Sequence, residues 1–133
     1  MGLIVDSDVW ILAERMRGRL DLARWSAYGD AYMSAITASE LLVGVERAST
    51  LQRKAQRGAF VENLLSIIPV LEFSMPVART HARMVASLSK NLTAGAHDAV
   101  IAATAIHHGY AVLTRNATDF KIFAGLKVET FDS

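Results

Sequence analysis

Residues 93–120 read TAGAHDAVIAATAIHHGYAVLTRNATDF, and their pattern indicates the fold class most clearly. Small and apolar side chains recur at helical spacing from Ala99 to Ile106, which predicts an amphipathic helix. Gly109 follows, and glycine is the residue that most readily ends a helix because it adopts left-handed backbone angles without strain. Tyr110 to Leu113 is then a short apolar run typical of a buried strand. The stretch therefore predicts a helix, a tight turn and a strand that runs antiparallel to that helix.

This arrangement has a consequence for the polar residues at its two ends. The first turn of the helix carries Asp98, and the strand is followed by Thr114, Asn116 and Asp119. Because the helix runs antiparallel to the strand it feeds, its first turn lies at the carboxyl edge of the strand. Asp98 and Asp119 are therefore predicted to lie close together.

The rest of the chain alternates strand-like and helix-like segments. Pro69 has no amide hydrogen to donate and predicts a position near the sheet edge for its strand. Alternation of this kind predicts a single α/β domain over residues 1–133, with a mainly parallel sheet covered by helices on both faces. The other predicted strands are Gly2–Val5, Ala31–Ser34, Ile67–Phe73 and Leu126–Phe131. Helices are predicted over Val9–Arg17, over Leu20–Tyr28, over residues 47–65 and from Ser74 to about Lys90. A further helix is predicted to begin with a capping box formed by Thr37 and Glu40.

The composition excludes several classes of protein. The chain has 133 residues, 52% of them hydrophobic, which argues for a filled core and against disorder. Its net charge of +1 gives no general attraction to nucleic acid, so a basic surface must be local. The absence of cysteine excludes disulfides and thiolate metal sites and suits a reducing cytoplasm. No signal peptide or membrane span is predicted.

Four carboxylates are expected at one edge of the sheet. Asp6 ends the first strand, Glu40 begins the helix after the second, and Asp98 and Asp119 flank the fourth strand. In parallel sheets, ligands bind outside the carboxyl ends of the strands. Two like charges about 5 Å apart repel by roughly 3 kcal/mol at an effective dielectric of 20. Proton uptake or a hard cation would relieve this repulsion, and oxygen ligands suit Mg²⁺ or Mn²⁺. Metal-dependent phosphodiester hydrolysis is the reaction this pattern favours.

Each acid also has a purely structural interpretation. Asp6 and Asp8 are typical helix caps after a strand, and Glu40 is typical of the far end of a capping box. Asp98 is favourable in a first helical turn because of the helix dipole. The histidines show no metal-ligand spacing. His97 precedes Asp98 and either approaches the site or is a surface residue, and His107 and His108 are interpreted as residues at a helix end.

The basic residues of the middle segment have two interpretations. Arg47, Arg53, Lys54 and Arg57 either form a solvated helix face or follow the phosphates of an RNA. Arg115 is a further candidate for a phosphate contact, with a structural salt bridge as the alternative.

At this point the sequence resembles the PIN-domain ribonucleases, specifically the VapC-type toxins of prokaryotic toxin–antitoxin modules. The matching segments follow the order of that family and span the chain. They are LIVDSDVWI (3–11), SAITASELLVGVERA (34–48), HDAVIAATAIHHGYAVLTRNATDF (97–120) and GLKVETF (125–131).

The resemblance implies a three-layer α/β/α sandwich, a homodimer, cytoplasmic ribonuclease activity on an RNA substrate, and inhibition by a cognate antitoxin. It implies that the acids bind Mg²⁺ or Mn²⁺ with support from two polar residues after the fourth strand. Asp8 departs from the family, which more often has Asn or Ser there, and stands as a supporting residue or extra ligand. Many PIN domains have Asp at position 116. By resemblance the catalytic and metal-binding acids are Asp6, Glu40, Asp98 and Asp119, and the supporting pair is Thr114 and Asn116.

Two other functions remain possible from the residues. Asp6-x-Asp8 after an apolar strand is similar to the haloacid-dehalogenase phosphatases, but Lys90 lacks the context that their lysine needs. A PIN-like module that binds RNA or protein without cleavage is the second alternative. Trp10, Trp25 and Leu42 are predicted to be exposed and to form a docking surface for the antitoxin.

Overall fold

The computed structural model describes residues 1–90, 92 and 94–132. Thr93, the first residue of the stretch quoted above, lies outside them. The five strands are β1 (Gly2–Val5), β2 (Asp30–Ser34), β3 (Val70–Leu71), β4 (Ala111–Thr114) and β5 (Val128–Thr130). The five α-helices are α1 (Ser7–Arg15), α2 (Ala35–Glu46), α3 (Leu51–Ile67), α4 (Met75–Ala86) and α5 (Ala96–His108). Short 3-10 helices occupy Ala23–Tyr28 and Ala117–Asp119.

The strands form one sheet in the order β3-β2-β1-β4-β5, and every pairing between them is parallel. This confirms the predicted parallel sheet, and the strand with Pro69 beside it lies at an edge. The two central strands, β1 and β4, are buried along their whole length. Because all strands run in one direction, their carboxyl ends share one edge of the sheet.

Helices cover both faces of the sheet. Leu3 and Val5 of β1 point to one face, where they pack with residues of α1, α2 and α3. Ile4 points to the opposite face, where it packs with residues of α4 and α5. This alternation is the two-residue period of a strand, and it divides the core into two clusters. The architecture is therefore the predicted three-layer α/β/α sandwich.

The helix–turn–strand unit has the predicted order. Asp98 lies in the first turn of α5, and His107 and His108 lie in its last turn. Gly109 follows α5 with φ 71° and ψ 31°, the left-handed conformation that favours glycine. Tyr110 N then donates to Ala105 O over 2.9 Å, and the chain enters β4.

The beginning of α2 differs from the prediction. Ser34, the last residue of β2, caps the helix by accepting a hydrogen bond from Ile36 N over 3.2 Å. The helix therefore begins before Thr37, which is completely buried. Glu40 lies in the second turn, so the Thr37–Glu40 capping box is wrong. A serine at a strand end supplied the cap earlier in the sequence than the capping-box pattern indicated.

The two tryptophans are also placed differently from the prediction. Trp10 is 4% exposed and Trp25 is 5% exposed, and both belong to the core beneath α1, α2 and α3. Trp25 packs against Phe131 with ring centroids 5.2 Å apart. Of the three residues predicted to form a docking surface, only Leu42 is exposed, at 39%. Among the helices of the described residues, none is both long and apolar enough to cross a membrane.

Candidate active site

The acidic residues lie at the carboxyl edge of the sheet, on segments that the topology brings together. Asp6 immediately follows β1, and Asp8 lies in the first turn of α1. Glu40 lies on α2, Asp98 in the first turn of α5, and Asp119 in the 3-10 helix after β4. The charges of Asp119, Glu40 and Asp8 all act on Asp98, and the charge of Asp98 acts on Asp6. The fold thus places the other four carboxylates within electrostatic reach of Asp98.

Asp6 is the most buried of these acids, with 7% of its surface exposed. It caps α1 by accepting a hydrogen bond from Ser7 N over 2.8 Å, and Thr114 Oγ1 donates to its second oxygen over 2.9 Å. Burial and the charge of Asp8 raise the pKa of Asp6 from 3.8 to about 6, against the lowering effect of these two hydrogen bonds. The ionised carboxylate is therefore costly in the absence of a compensating positive charge.

The ionised carboxylate of Asp98 is also disfavoured, although Asp98 is less buried than Asp6. Burial raises its pKa, and the nearby charges of Asp119, Glu40 and Asp8 raise it further, whereas His97 lowers it. A Cβ atom built on Gly95 would lie 3.2 Å from Asp98 Oδ2. The missing side chain at Gly95 therefore leaves room for the carboxylate beside the start of α5.

Hydrogen bonds hold the other candidate residues in place. Glu40 accepts from Ser7 Oγ over 3.4 Å, and its other oxygen lies 3.5 Å from His97 Nδ1. The side-chain Nδ2 of Asn116 donates to Asp119. The backbone N–H of Asn116 donates to Thr114 Oγ1 over 3.0 Å. The predicted supporting pair, Thr114 and Asn116, therefore contacts the acids directly.

Asp8 has one satisfied and one unsatisfied oxygen. Its Oδ2 accepts from Arg115 N over 3.1 Å and lies 3.3 Å from Thr114 Oγ1, whose single hydrogen it shares with Asp6 Oδ2. Its Oδ1 is buried and has no hydrogen-bond partner among the described residues. An orphaned carboxylate oxygen beside other acids is an oxygen donor that a cation would satisfy. In the arrangement seen, however, no three acidic or histidine side chains of the described residues are close enough together to hold one ion.

The basic candidates differ in their position relative to the acidic site. Arg115 is exposed and follows Thr114 directly, whereas Arg47 and Arg53 lie farther along, at the end of α2 and the start of α3. Arg53 donates to Ser49 Oγ over 3.1 Å, and Lys54 pairs with Glu46 at 3.3 Å. Arg57 pairs with Glu14 at 3.2 Å. Three of the four basic candidates in this middle segment thus have partners within the chain, which favours the structural interpretation over a phosphate track.

One functional candidate had two interpretations from the sequence, and another was not identified from it. His97 precedes Asp98, and although it is exposed, it lies beside Glu40, as the first of its two interpretations expected. Glu14 of α1 pairs with Arg57 of α3 at 3.2 Å, beside a cavity that also reaches Glu40. No sequence spacing indicated this pair, because 43 positions separate its members.

Comparison with known proteins identifies the family to which the chain belongs. The family model for the PIN domain matches residues 3–126. The chain belongs to the PIN-domain family. Ribonuclease VapC1 of Rickettsia felis is 43% identical over 134 aligned positions, which cover 100% of the chain and 98% of the relative. Ribonuclease VapC of Rickettsia bellii is 39% identical and covers 98% of the chain and 96% of the relative.

Solved structures of PIN-domain proteins share the fold. The VapBC2 complex of Rickettsia felis, bound to a DNA fragment from its promoter, superposes with a TM-score of 0.85 at 23% identity, covering 99% of this chain and 100% of the other. FitAcB of Neisseria gonorrhoeae gives a TM-score of 0.78 at 28% identity and 95% coverage of both chains. The family assignment goes against the haloacid-dehalogenase alternative and places the chain among the VapC-type ribonucleases of the PIN family.

Proposed function

We propose that this protein is a Mg²⁺- or Mn²⁺-dependent endoribonuclease that acts as the toxin of a toxin–antitoxin pair. One observation carries the proposal: carboxylates from four separate segments act on one another at one sheet edge, and burial together with the neighbouring charges raises the pKa of both Asp6 and Asp98. A bound divalent cation would offset the mutual repulsion of these carboxylates, which supports a metal-dependent function.

The residues fit such an ion chemically. All the donors are carboxylate oxygens, which hard cations prefer, and Asp8 Oδ1 is buried without a partner. Mg²⁺ commonly keeps several waters and binds through one or two carboxylates together with substrate phosphate. Asp6 and Asp98 are proposed as those principal ligands, with Glu40 and Asp119 binding directly or through water. A bound ion of this kind supplies an activated water and neutralises charge on the phosphate.

The chain's own residues would orient the other participants. Glu40, fixed by Ser7 and flanked by His97, is proposed to hold the attacking water in line with the scissile phosphate. Thr114 fixes the orientation of the Asp6 carboxylate, and Asn116 fixes that of Asp119. Arg115, exposed beside Asp8, is proposed to contact a phosphate of the RNA.

The partners are proposed from the relatives. The tRNA(fMet)-specific endonuclease VapC of Salmonella typhimurium is 31% identical over 98 residues, which supports RNA as the substrate. Several of the matching solved structures are VapBC complexes, which supports a cognate antitoxin as a partner. A homodimer is also proposed, because apolar side chains along and beside α4 are exposed: Phe73, Met75 and Val85. Light scattering of the purified chain tests the dimer.

The decisive test of function is cleavage of total cellular RNA with Mg²⁺ or Mn²⁺ and with excess chelator. Cleavage is expected only with the divalent ion, and Asp98→Asn is expected to abolish it while retaining the melting temperature of the fold. Glu62→Gln, which neutralises an exposed acid on α3, is the matched control. Equal cleavage with and without chelator would refute metal dependence, and RNA binding without cleavage under any condition would favour a non-cleaving module.

A further inference from the structure

A cavity of about 360 Å³ opens between α1, α2 and α3. Glu40 forms part of its wall and also belongs to the acidic site, so the cavity adjoins the proposed point of cleavage. Its volume falls in the range of small-ligand sites. A group bound in this cavity would therefore be next to the phosphate that Glu40 and its neighbouring acids act upon.

The walls of the cavity combine apolar surface with one fixed pair of charges. Leu41 and Val61 are buried and form its floor, while Phe60 and Ile11 are more exposed. Flat ring systems stack on aliphatic and aromatic surfaces of this kind. The apolar part of the cavity thus suits the faces of a heterocyclic ring.

Arg57 and Glu14 supply the polar part. Arg57 Nε donates to Glu14 Oε1 over 3.2 Å, and Arg57 Nη1 donates to Gly44 O over 3.0 Å. These contacts use two of the five N–H donors of the guanidinium group, and 40% of the Arg57 side chain is exposed. A donor group and an acceptor group are therefore held side by side in one wall.

We propose that this cavity binds one nucleobase of the RNA, immediately beside the scissile phosphate, and that Arg57 and Glu14 determine which base is accepted. Each nucleobase presents hydrogen-bond donors next to acceptors, and the bases differ in the order of these groups. A fixed Arg–Glu pair favours the base whose donors and acceptors match its own acceptor and donor groups, whereas the apolar walls accept the ring of any base. This inference rests on the proposed ribonuclease function and adds the source of its sequence preference.

The test uses the full chain with Mg²⁺ and a pool of single-stranded RNA of random sequence, and sequencing of the cleaved ends gives the base preference at each position. Wild type is expected to show a preference at one position next to the cut. Arg57→Gln is expected to reduce that preference about fivefold or more, the lower end of what one well-placed base contact contributes. Arg79→Gln, which changes an exposed arginine on α4 in the other helical layer, is the matched control and is expected to keep it.

Gly44→Met provides a second variant that leaves the Arg–Glu pair chemically intact. A Cβ atom added at Gly44 meets nothing closer than Arg57 Cδ at 3.9 Å, so the larger side chain has room to enter the cavity. Its melting temperature is expected to stay near that of wild type, while the base preference disappears.

An unchanged preference in Gly44→Met and Arg57→Gln would overturn the base-binding cavity but leave the nuclease intact. If neither preference nor RNA cleavage changes but antitoxin affinity falls, the cavity binds the antitoxin instead. Absence of metal-dependent cleavage by wild type would overturn the proposed function and this inference with it.

Discussion

Thr114 Oγ1 donates a hydrogen bond to Asp6 Oδ2 over 2.9 Å, across 108 positions of the sequence. Thr114 is completely buried, and its hydroxyl oxygen also accepts a hydrogen bond from the backbone N–H of Asn116. The bond to Asp6 favours the ionised carboxylate, so it opposes the effect of burial on the pKa of Asp6. Thr114 at the end of β4 thus fixes the orientation of Asp6, which follows the neighbouring strand β1.

Replacing this hydroxyl should therefore affect activity and stability together. Thr114→Val keeps the shape of the side chain but removes the hydrogen bond to Asp6 Oδ2, and we expect a loss of about 1–3 kcal/mol in the free energy of unfolding. Cleavage is expected to fall severalfold at limiting Mg²⁺. Thr104→Val is the matched control, because Thr104 is equally buried but donates only to Val100 O within α5. Equal activity losses in the two variants would contradict a specific role for Thr114.

The raised pKa of Asp6 predicts an unusual dependence of stability on pH. The folded chain holds a proton on Asp6 up to about pH 6, whereas the unfolded chain releases it near 3.8. The native state therefore binds more protons in this interval, and its stability falls as pH rises from about 4 to above 6. A shift of this size corresponds to roughly 3 kcal/mol. Denaturant unfolding in chelator should show this fall for wild type and a much flatter profile for Asp6→Asn. If the free energy of unfolding of wild type instead rose over this pH interval relative to that of Asp6→Asn, the prediction that burial raises the pKa of Asp6 would be wrong.

Asp8 provides a separate test of the acidic cluster. Its charge is the second cause, after burial, of the raised pKa of Asp6. Asp8→Asn should lower the pKa of Asp6, which NMR titration of the carboxyl carbons would measure directly. If Asp8 is a supporting residue, this variant should also retain metal-dependent cleavage within about tenfold of wild type. Complete loss of cleavage with an intact fold would instead identify Asp8 as an essential ligand.

Divalent ions should stabilise the fold most where the acids are ionised. At ten times its dissociation constant, a ligand of the native state adds about 1.4 kcal/mol to the free energy of unfolding. We expect Mg²⁺ to raise the melting temperature clearly at pH 8 and less at pH 5, because protons compete for Asp6 at the lower pH. Glu62→Gln should respond as wild type does, and Asp98→Asn should not respond. A rise that is equal in all three proteins would show only nonspecific ion binding.

Much of this architecture could be predicted from local patterns. The apolar run before Asp6 and the sequence around Gly109 each specify a buried element and its end, so the parallel sheet and its polar edge followed from them. The acids were expected together because parallel strands place their carboxyl ends at one edge. These predictions depend on periodicity and turn chemistry, which short stretches of sequence carry.

The errors arose where long-range packing decided the outcome. Trp10 and Trp25 looked available for a partner, but both fill the core between the sheet and its helices. Thr37 was predicted to cap α2, but the cap is Ser34, three positions earlier, because β2 ends there and the helix begins at once. The pairing of Glu14 with Arg57 depends on how α1 and α3 pack, which no local pattern encodes.

The most direct measurement of the central claim is anomalous diffraction from crystals of the protein grown with Mn²⁺ above pH 7. A manganese peak between the carboxylates of Asp6 and Asp98, absent in Asp98→Asn crystals grown under the same conditions, is the predicted result. A peak only at other surface acids, or none at saturating Mn²⁺ in a protein whose wild-type form cleaves RNA, would contradict it.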